Sequence, residues 1–539
     1  MKLNRNSLVD RDSWARVGIG LPRFDLAAAR KAALDSPRWL HFGAGNIFRA
    51  YIAKVHQDLL DAGLADCGII AAETFDDEII PYGYEPYDNL SLLATMRPDG
   101  GDELTVVGSV ADTIQAADGH GLARLKRIAA ASSLRIISFT VTEKGYAVTD
   151  PLGNPVPSVA LDASDGPDHP KSLIGIAASM LLERHNAGGA AVALLSLDNV
   201  SRNGDLLRQS IMYIAQVWVN NGFAKPEFLR YISDSGRVSF PWSMIDKITP
   251  RPDPRVQSRL EALGLEDMDI RSTASGTYIA PFVNAEAPGY LVVEDNFPNG
   301  RFPLEQVGVY MVSRETVSRA ERMKVCACLN PLHTGMGTFC CMLGIPTIAA
   351  GMRDPDIRAL VERLGYAEGL PVAANPGIIR PEAFLREVID ERLSNPNIPD
   401  TPERITVDQS SMMAIRFGET LKAYSKNGLD TKDLTAIPLA IAGWLRYLLG
   451  VDDLGRRMPI SPDPYAASAG ERLAGIVFGQ PGSCNGQLTQ ILNNERLFGV
   501  DLYEIGLGEK IEGLFISMLE GPGAVRRTLS GAIRDCPST

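Results

Sequence analysis

The stretch that decides the fold runs from Arg38 to Gly63 and reads "RWLHFGAGNIFRAYIAKVHQDLLDAG". Its first apolar run, Trp39 to Phe42, predicts a short buried strand. After Gly43-Ala44-Gly45, apolar residues recur at helical spacing, and "CGIIAAET" then predicts a second strand that ends near Glu73. A strand, a glycine turn, a helix and another buried strand in this order predict a βαβ unit of a parallel sheet.

The glycine turn has the chemistry of a dinucleotide-binding loop. Gly43 permits the tight turn, Gly45 lets the backbone approach a pyrophosphate, and the helix N-terminus offers unpaired N–H groups to that anion. The candidate cofactor-binding residues of the turn are Gly43, Ala44, Gly45, Asn46, Ile47 and Phe48. Since Phe48 occupies the third glycine position, an ordinary strand–helix turn remains an alternative on these residues alone.

The carboxylate of Glu73 indicates which dinucleotide the turn would bind. At the end of the second strand it stands where the adenosine ribose is expected, and it would accept hydrogen bonds from the ribose hydroxyls. A 2′-phosphate would meet a like charge there, so the sequence favours NAD over NADP.

Two further predicted strands also end in polar residues. "LRIISFTVTEKGY" is mostly apolar from Leu134 to Val141 and then presents Thr142 and Glu143; "AVALLSLDNVSRNG" ends in Asp198 and Asn199. One polar strand end is more often a turn or a helix cap. Several at one edge of a parallel sheet form a candidate site, because ligands bind outside the carboxyl ends of the strands.

Length, charge and cysteine content restrict the class of protein. A chain of 539 residues is too long for one core, and a net charge of −12 argues against general nucleic-acid binding. The first residues lack the apolar core of a secretory signal, and seven cysteines is an odd number. We therefore expect a reduced, cytoplasmic protein.

The residues from 325 to 352 contain no Asp, Glu, Lys or Arg. This stretch is long enough to cross a membrane, but Asn330, His333 and two prolines make a lipid-facing helix costly, so we expect a buried segment and no membrane partner. Its cysteines do not follow the C-x2-C pairing of structural zinc, and no metal site is predicted.

The second half of the chain has mostly helical patterns, and the boundary is expected where Asn, Gly and Pro cluster between 293 and 308. The predicted class is α/β, with a Rossmann-like N-terminal domain followed by a mostly α-helical C-terminal domain. The predicted segments are an N-terminal extension over 1–38, an NAD-binding domain over 39–300 and a substrate and catalytic domain over 301–539. Such an arrangement places an active site in the cleft between the domains.

Four segments carry a resemblance to a known family. "FGAGNIFRA", "DNVSRNG", "FPWSMIDKITP" and "KVCACLNPLHT" occur in this order and resemble the motifs of the mannitol dehydrogenase family, the polyol-specific long-chain dehydrogenases. The likeness extends from about residue 39 to about residue 530. It implies an NAD-dependent dehydrogenase acting on a sugar acid or polyol, as a monomer or a weak homo-oligomer.

Within the family, "YLVVEDNFPNGR", "CLNPLHT" and "YEIGLGEKIEGLF" look closest to the members that interconvert D-fructuronate and D-mannonate with NADH/NAD. Members that act on D-fructose and D-mannitol are the runner-up. Outside this class, a catalytically silent NAD-binding regulator and a helical interaction protein remain open.

The resemblance assigns roles to individual residues. Lys324 becomes the general acid/base, because shielding from water can lower the pKa of a lysine until its neutral amine is available to take a proton at neutral pH. Asn199 and Asn330 become amide donors to the reacting oxygen, and His333 orients the substrate. The resemblance places Asp246, Lys247 and Arg404 in substrate binding, and Thr142 and Glu143 beside the cofactor. On the segment alone, a lysine reaching to the surface beside a capped helix is the simpler interpretation of Lys324.

Two departures from the family pattern have structural consequences. Five residues, not four, separate Lys324 from Asn330, and we expect a helix break, with Asn330 as N-cap before Pro331, to absorb the extra residue. Met412 stands where many members have a substrate-binding lysine. A uronate carboxylate needs a cation, for which Arg404 is the first candidate, ahead of the other basic residues Lys247, Arg301 and Arg416.

Overall fold

A computed structural model describes residues 1–116, 119–150 and 153–534. Contacts along the chain divide it into two compact units, Met1–Ser318 and Arg319–Thr539. The domain limits expected from the sequence, with a boundary between 300 and 301, stay a prediction.

All strands of the described residues lie in the first unit. In chain order they are β1 Ile19–Gly20, β2 Trp39–Phe42, β3 Ile69–Glu73, β4 Ser91–Met96, β5 Glu103–Val107, β6 Val110–Gln115, β7 Ile136–Phe139, β8 Val192–Ser196, β9 Val238–Ser239, β10 Ser243–Asp246, β11 Arg271–Ser272, β12 Tyr278–Ile279, β13 Phe282–Glu286, β14 Tyr290–Glu294 and β15 Tyr310–Val312.

The main sheet has the strand order β6-β3-β2-β7-β8-β9, and every neighbouring pair is parallel. Its four inner strands are buried along their whole length, as expected for a parallel sheet covered on both faces. The register aligns Phe42 of β2 with Ala72 and Phe139, and Phe139 with Ser196. The turns after these strands therefore lie at one edge of the sheet, and the predicted strands and α/β class are confirmed.

Three smaller sheets complete the first unit. A mixed sheet has the order β1-β5-β4-β13, a second has the order β10-β14-β15, and β11 pairs with β12. In the second of these sheets, β10 carries the start of the "SMIDKITP" segment.

The α-helices of the first unit are α1 Arg11–Arg16, α2 Leu26–Asp35, α3 Ala53–Asp61, α4 Ile79–Gly83, α5 Gly119–Ala130, α6 Thr142–Tyr146, α7 Pro157–Asp165, α8 Leu173–Asn186, α9 Asn203–Asn220, α10 Pro226–Ser233 and α11 Pro254–Ala262. The next helix, α12 Arg314–Met323, begins there and continues into the second unit.

Among its described residues, the second unit has helices joined by loops, and no β-strand. Its α-helices are α13 Asn330–Met342, α14 Ile348–Arg353, α15 Pro355–Glu362, α16 Pro381–Glu387, α17 Pro402–Ile405, α18 Gln409–Met413, α19 Glu419–Lys426, α20 Ala436–Tyr447, α21 Ala466–Arg472, α22 Thr489–Leu492, α23 Glu495–Phe498, α24 Gly508–Ser517 and α25 Ala524–Arg534. Wider π-helical turns occur at Phe48–Ile52 in the first unit and at Lys324–Cys328, Arg363–Gly369, Val388–Arg392 and Ala414–Gly418 in the second.

The core of the second unit is built around α13 and α20. Every residue of α20 is buried, and its first N–H groups are satisfied by a distant carboxylate: Glu368 accepts hydrogen bonds from Thr435, Ala436 and Ile437 at 2.7–2.8 Å. Most of α13 is buried as well, as expected for the uncharged stretch. Within the described residues, no helix is both long enough and apolar enough to span a membrane.

Asn203, the first residue of α9, joins the end of β8 to β10. Its buried amide Oδ1 accepts hydrogen bonds from the N–H groups of Gly204 and Ser243, and Nδ2 donates to the carbonyls of Asp198 and Ser243. The neighbouring Gly204 is held so close that a Cβ there would lie 2.5 Å from the Phe240 carbonyl oxygen. The "RNG" part of "DNVSRNG" therefore has a structural role.

We expect Asn203→Ala to lower the free energy of unfolding of the first unit by about 3 kcal/mol or more, since it leaves several buried backbone groups without partners. Urea denaturation followed by circular dichroism measures this loss. The matched control is Asn220→Ala at the exposed last position of α9, which should change stability by less than about 0.5 kcal/mol. Equal effects of the two substitutions would contradict the structural role of Asn203.

Candidate functional site

The glycine turn after β2 lies against the end of β7. Gly43 has φ +98°, and a Cβ at this position would lie 2.1 Å from the backbone carbonyl oxygen of Thr140. Both the left-handed conformation and the lack of space require glycine here. The turn is therefore fixed beside the carboxyl end of the neighbouring strand.

Gly45 is glycine for a different reason. It lacks the left-handed conformation of Gly43, and no described atom lies within 4 Å of the place where its Cβ would be. The helix begins at the next residue, Asn46, and the first N–H groups of a helix have no acceptor within it. The space beside Gly45 and the nearby N–H groups form a cradle that fits an anion such as a pyrophosphate.

The carboxylate of Glu73 bridges the end of β3 and the glycine turn. One oxygen accepts a hydrogen bond from the N–H of Ala44 at 3.0 Å, and the other accepts from Thr74 and Phe75 at 2.9 Å. The sequence predicted that this carboxylate would face a ribose. In the structure its closest partners are backbone groups, so Glu73 also holds the turn in place.

Phe48, at the third glycine position of the motif, packs on His41, a residue that the sequence analysis did not select. Its buried ring stacks on the buried ring of His41 in β2, with centroids 4.0 Å apart. The helix is widened into a π turn over Phe48–Ile52, and Ile47 just before it is partly buried. Burial lowers the pKa of His41 to about 3, which keeps the ring neutral. A histidine within the apolar run "WLHF" was the only sequence signal.

Asp198, just after β8, forms hydrogen bonds with the loop that follows β7. Its buried carboxylate accepts hydrogen bonds from the N–H groups of Val141 and Thr142 at 2.9 Å, and from the Tyr146 hydroxyl. These bonds hold Thr142 in a left-handed conformation, with φ 66°. Burial raises the pKa of Asp198. The predicted residues Thr142, Glu143 and Asn199 are all exposed beside this loop.

The "MIDKITP" segment lies against the helix that follows the glycine turn. Asp246 is buried at the end of β10, and the Lys247 ammonium lies 5.4 Å from the ring centroid of Tyr51 and donates to the Ala287 carbonyl at 3.1 Å. Asn46 donates to the Pro250 carbonyl at 3.4 Å. The predicted residues of the first unit thus come from segments that contact one another.

In the second unit, Lys324 opens a π-helical turn that precedes α13. Its side chain is 2% exposed, and its carbonyl accepts from the N–H of Leu329 at 3.0 Å, a bond across five residues. A π turn is the form that one extra residue takes within a helix, so it accommodates the extra residue between Lys324 and Asn330. The break itself is at Leu329, with φ −135°. The prediction of Asn330 as N-cap is wrong: Asn330 is the first helical residue and makes no capping bond.

Asn330 and His333 both present polar atoms that are buried without partners. Neither Oδ1 of Asn330 nor Nε2 of His333 has a hydrogen-bond partner within the described part of the chain. Burial lowers the pKa of His333 to about 4, so the imidazole is neutral at neutral pH. Native buried polar groups are nearly always hydrogen-bonded, and a bound ligand or ion is one explanation of an exception.

Arg404 and Met412 follow in the same unit. The Arg404 guanidinium is exposed and forms a two-bond ion pair with Asp400, with Nη2 and Oδ2 2.6 Å apart. Sequence reasoning missed this acidic partner, although its spacing of four residues from Arg404 is a usable signal. Met412 is partly buried and brings no charge. Among the described residues, no group of three or more His, Cys, Asp or Glu side chains is placed to hold a metal ion.

Comparison with known proteins identifies both parts of the chain. Residues 37–306 match the family model described as the mannitol dehydrogenase Rossmann domain, and residues 317–510 match the model of the mannitol dehydrogenase C-terminal domain. The chain is 48% identical to the D-mannonate oxidoreductase of Thermotoga maritima, over 99% of both chains. It is 28% identical to the polyol:NADP oxidoreductase of Gluconobacter oxydans, over 81% of this chain and 85% of that one.

Among solved structures, the chain is similar to Pseudomonas fluorescens mannitol 2-dehydrogenase in a ternary complex with NAD and D-mannitol. The TM-score is 0.73 at 25% identity, and the match covers 99% of this chain and 100% of that one. The resemblance expected from the motifs is thus confirmed over the whole chain. The protein belongs to the mannitol dehydrogenase family and is a dehydrogenase with that family's Rossmann and C-terminal domains.

Proposed function

We propose that this enzyme interconverts D-fructuronate and D-mannonate by hydride transfer, with NAD(H) as its coenzyme. The observation that carries the proposal is the 48% identity to a D-mannonate oxidoreductase over 99% of both chains. A likeness of this extent spans both units of the chain.

The cradle at the glycine turn supports binding of a dinucleotide. Gly43, Ala44 and Gly45 form the turn, and Asn46, Ile47 and Phe48 open the helix whose N–H groups would receive the pyrophosphate. The open space beside Gly45 is the observation that fits such a ligand, because nothing in the described chain fills it. Thr142 and Glu143, exposed beside the neighbouring strand end, are proposed to contact the rest of the cofactor.

Glu73 supports NAD over NADP as the coenzyme. Its carboxylate is held beside the glycine turn by three backbone N–H groups, at the strand end where a dinucleotide places its adenosine ribose. A 2′-phosphate at this position would meet a negative charge. The relative from Gluconobacter oxydans is named for NADP, so the coenzyme has to be tested directly.

We assign proton transfer to Lys324. A secondary alcohol can give up hydride only as its hydroxyl loses a proton, and NAD, when bound, supplies the hydride acceptor. The Nζ atom of Lys324 would take this proton during oxidation and return it during reduction. The near-complete burial of a lysine at the entrance of an uncharged segment supports this role.

The remaining candidates are proposed to hold the substrate. The buried, unpartnered atoms of Asn330 and His333 would hydrogen-bond substrate oxygens, and Asn199 would support the reacting oxygen with its amide. Asp246, Lys247 and Arg404 are proposed as further substrate contacts. The cytoplasmic location and the monomeric or weakly associated state stay predictions.

A second candidate function is the interconversion of D-fructose and D-mannitol. The uncharged Met412 favours it, because a neutral substrate needs no cation. The similarity to mannitol 2-dehydrogenase is compatible with it, but at 25% identity it is much weaker than that to the D-mannonate oxidoreductase.

The proposed function is tested with a panel of uronates, ketoses and polyols, followed by NADH and NADPH absorbance. We expect kcat/KM to be highest for D-fructuronate with NADH, and at least about tenfold lower with NADPH, which corresponds to about 1.4 kcal/mol of repulsion at Glu73. Faster reduction of D-fructose would favour the second candidate. If the protein binds NADH but turns over no substrate, it is a catalytically silent regulator. If it does not bind NADH, the interpretation as an interaction protein is favoured.

The dinucleotide cradle is tested by Gly45→Ala. We expect the Kd for NADH to rise on the order of tenfold, because the added methyl group fills space meant for the ligand. The melting temperature should not change, since no described atom lies within 4 Å of the new Cβ. The matched control is Gly513→Ala in α24, which has equally open surroundings and should leave NADH binding unchanged. Unaltered NADH affinity in Gly45→Ala would contradict the cradle.

The proton-transfer role is tested by Lys324→Ala. We expect kcat to fall by about 100-fold or more, the usual contribution of a positioned acid/base group, while the Kd for NADH stays nearly unchanged. The control is Lys422→Ala, which removes an exposed lysine paired with Glu419 at 3.0 Å. Survival of activity in Lys324→Ala would mean that another group transfers the proton.

A further inference from the structure

The second unit contains an arginine, Arg416, whose positive charge has no counterion among the residues that the structure describes. Arg416 lies in the π-helical turn Ala414–Gly418, and its Nη1 donates to the Thr334 hydroxyl at 2.7 Å. Its Nε is buried without an acceptor. Within the described residues, Arg416 forms no ion pair and no other hydrogen bond, so the edge made by Nε and Nη2 has no protein partner.

Arg416 stays protonated at neutral pH in this environment. Burial lowers the pKa of the guanidinium to about 10, which is still well above neutral pH. A partly buried cation without a carboxylate is costly, because it has lost hydration without gaining a partner. The structure therefore calls for an anion that is not part of the described chain.

Other buried arginines of this protein show how the fold otherwise satisfies a guanidinium. Arg184 donates to five backbone carbonyls, among them those of Ala129 and Leu134 at 2.6 and 2.9 Å. Arg446 donates to three carbonyls, including that of Val451 at 2.7 Å.

Arg49 also has a buried nitrogen without a partner, but its other two nitrogens donate to Ser91 and to the Ala280 carbonyl, and its guanidinium lies over the Tyr84 ring. Among the described residues Arg416 has only its hydroxyl partner, so it is less well satisfied than these arginines.

Two of the other candidate cations, Arg404 and Arg301, are already paired with carboxylates. Arg404 uses its Nε and Nη2 atoms for Asp400, which is the edge that a second carboxylate would need. Arg301 pairs with both Asp295 and Glu305, at 2.7 and 2.6 Å. These ion pairs rank Arg416 ahead of Arg404, which the sequence had placed first.

Arg416 also lies close to a proposed substrate-binding residue. The hydroxyl it contacts belongs to Thr334, the neighbour of His333 in α13. Burial is the main cause that lowers the pKa of His333, and the positive charge of Arg416 contributes in the same direction. Asp400, Arg404 and Arg392 act on the same pKa, so what places Arg416 near His333 is the hydrogen bond to the adjacent Thr334.

We propose that Arg416 binds the carboxylate of the substrate and thereby makes the enzyme specific for a sugar acid. The unpartnered edge of the guanidinium has two parallel N–H donors, the geometry that a carboxylate accepts with both oxygens. This inference rests on the proposed function, since only an acidic substrate supplies the missing anion. It also explains how an enzyme with Met412 can take a charged substrate.

The test compares Arg416→Met and Arg416→Lys with the wild-type enzyme. Turnover of D-fructuronate by the wild type is measured first, because it decides the proposed function by itself. Given that turnover, we expect Arg416→Met to lower kcat/KM for D-fructuronate on the order of 100-fold, mainly through KM, since one side of a buried charge pair is lost. Arg416→Lys should retain part of the activity, because it keeps the charge but loses the paired donors.

Three controls separate a substrate contact from a structural role. Arg358→Met removes an arginine paired with Glu362 and Asp390 and should leave kcat/KM unchanged. The Kd for NADH should be the same in all variants. The melting temperature of Arg416→Met should stay constant or rise, because an uncompensated charge is removed; a structural arginine would instead lower it.

Two results would overturn the inference while leaving the proposed function intact. In the first, the wild type reduces D-fructuronate, and the Arg416→Met variant has the same KM for D-fructuronate as the wild type. In the second, the Arg416→Met variant is less stable than the wild type. Its KM values for D-fructuronate and for an uncharged ketose both rise by the same factor. If Arg416→Met does not fold, Arg416→Lys takes its place in the comparison. An unchanged KM of Arg416→Lys for D-fructuronate would count against the contact between Arg416 and the substrate carboxylate.

Discussion

The first unit depends on one close approach, that of Gly43 to the Thr140 carbonyl at the end of the adjacent strand. Any side chain at position 43 would overlap this carbonyl, with its Cβ only 2.1 Å away. The approach fixes where the helix begins and brings the N–H of Ala44 to the carboxylate of Glu73. Because the strands are parallel and in register, the loop held by Asp198 lies at the same edge of the sheet. The candidate cofactor site is thus a consequence of backbone packing.

The second unit contains two kinds of buried polar group: those with hydrogen-bond partners and those without. Glu368 and Arg446 are buried at helix ends and loops and have several backbone partners each. Asn330, His333 and Arg416 each have an atom buried without a partner. Each unsatisfied buried group costs about 1–3 kcal/mol, and a ligand that completes its hydrogen bonds would remove this cost. Their presence on α13 and on the π turn at Ala414–Gly418 supports one substrate site there.

Local patterns were sufficient for much of the fold. The apolar runs that became β2, β3, β7 and β8 lie within the predicted limits, because a strand buried on both faces has a distinctive composition. The motifs also led to the family. Two local expectations needed correction: Asn330 is not an N-cap, and the extra residue after Lys324 is accommodated by a π turn as well as by the bend at Leu329. Hydrogen bonds across five residues have no recognisable sequence pattern, so this could not be predicted.

The sequence by itself determined the α/β class, the glycine turn and the set of basic residues from which a carboxylate receptor could be drawn. It could not rank these residues, because the partner of an arginine depends on what the fold brings beside it. Only the tertiary structure decided that Asp400 pairs with Arg404, and that Glu73 binds the backbone of the glycine turn. It also decided that Arg416 is left with one hydroxyl partner. Burial and long-range contacts set the charge balance of a site, and neither is encoded in local spacing.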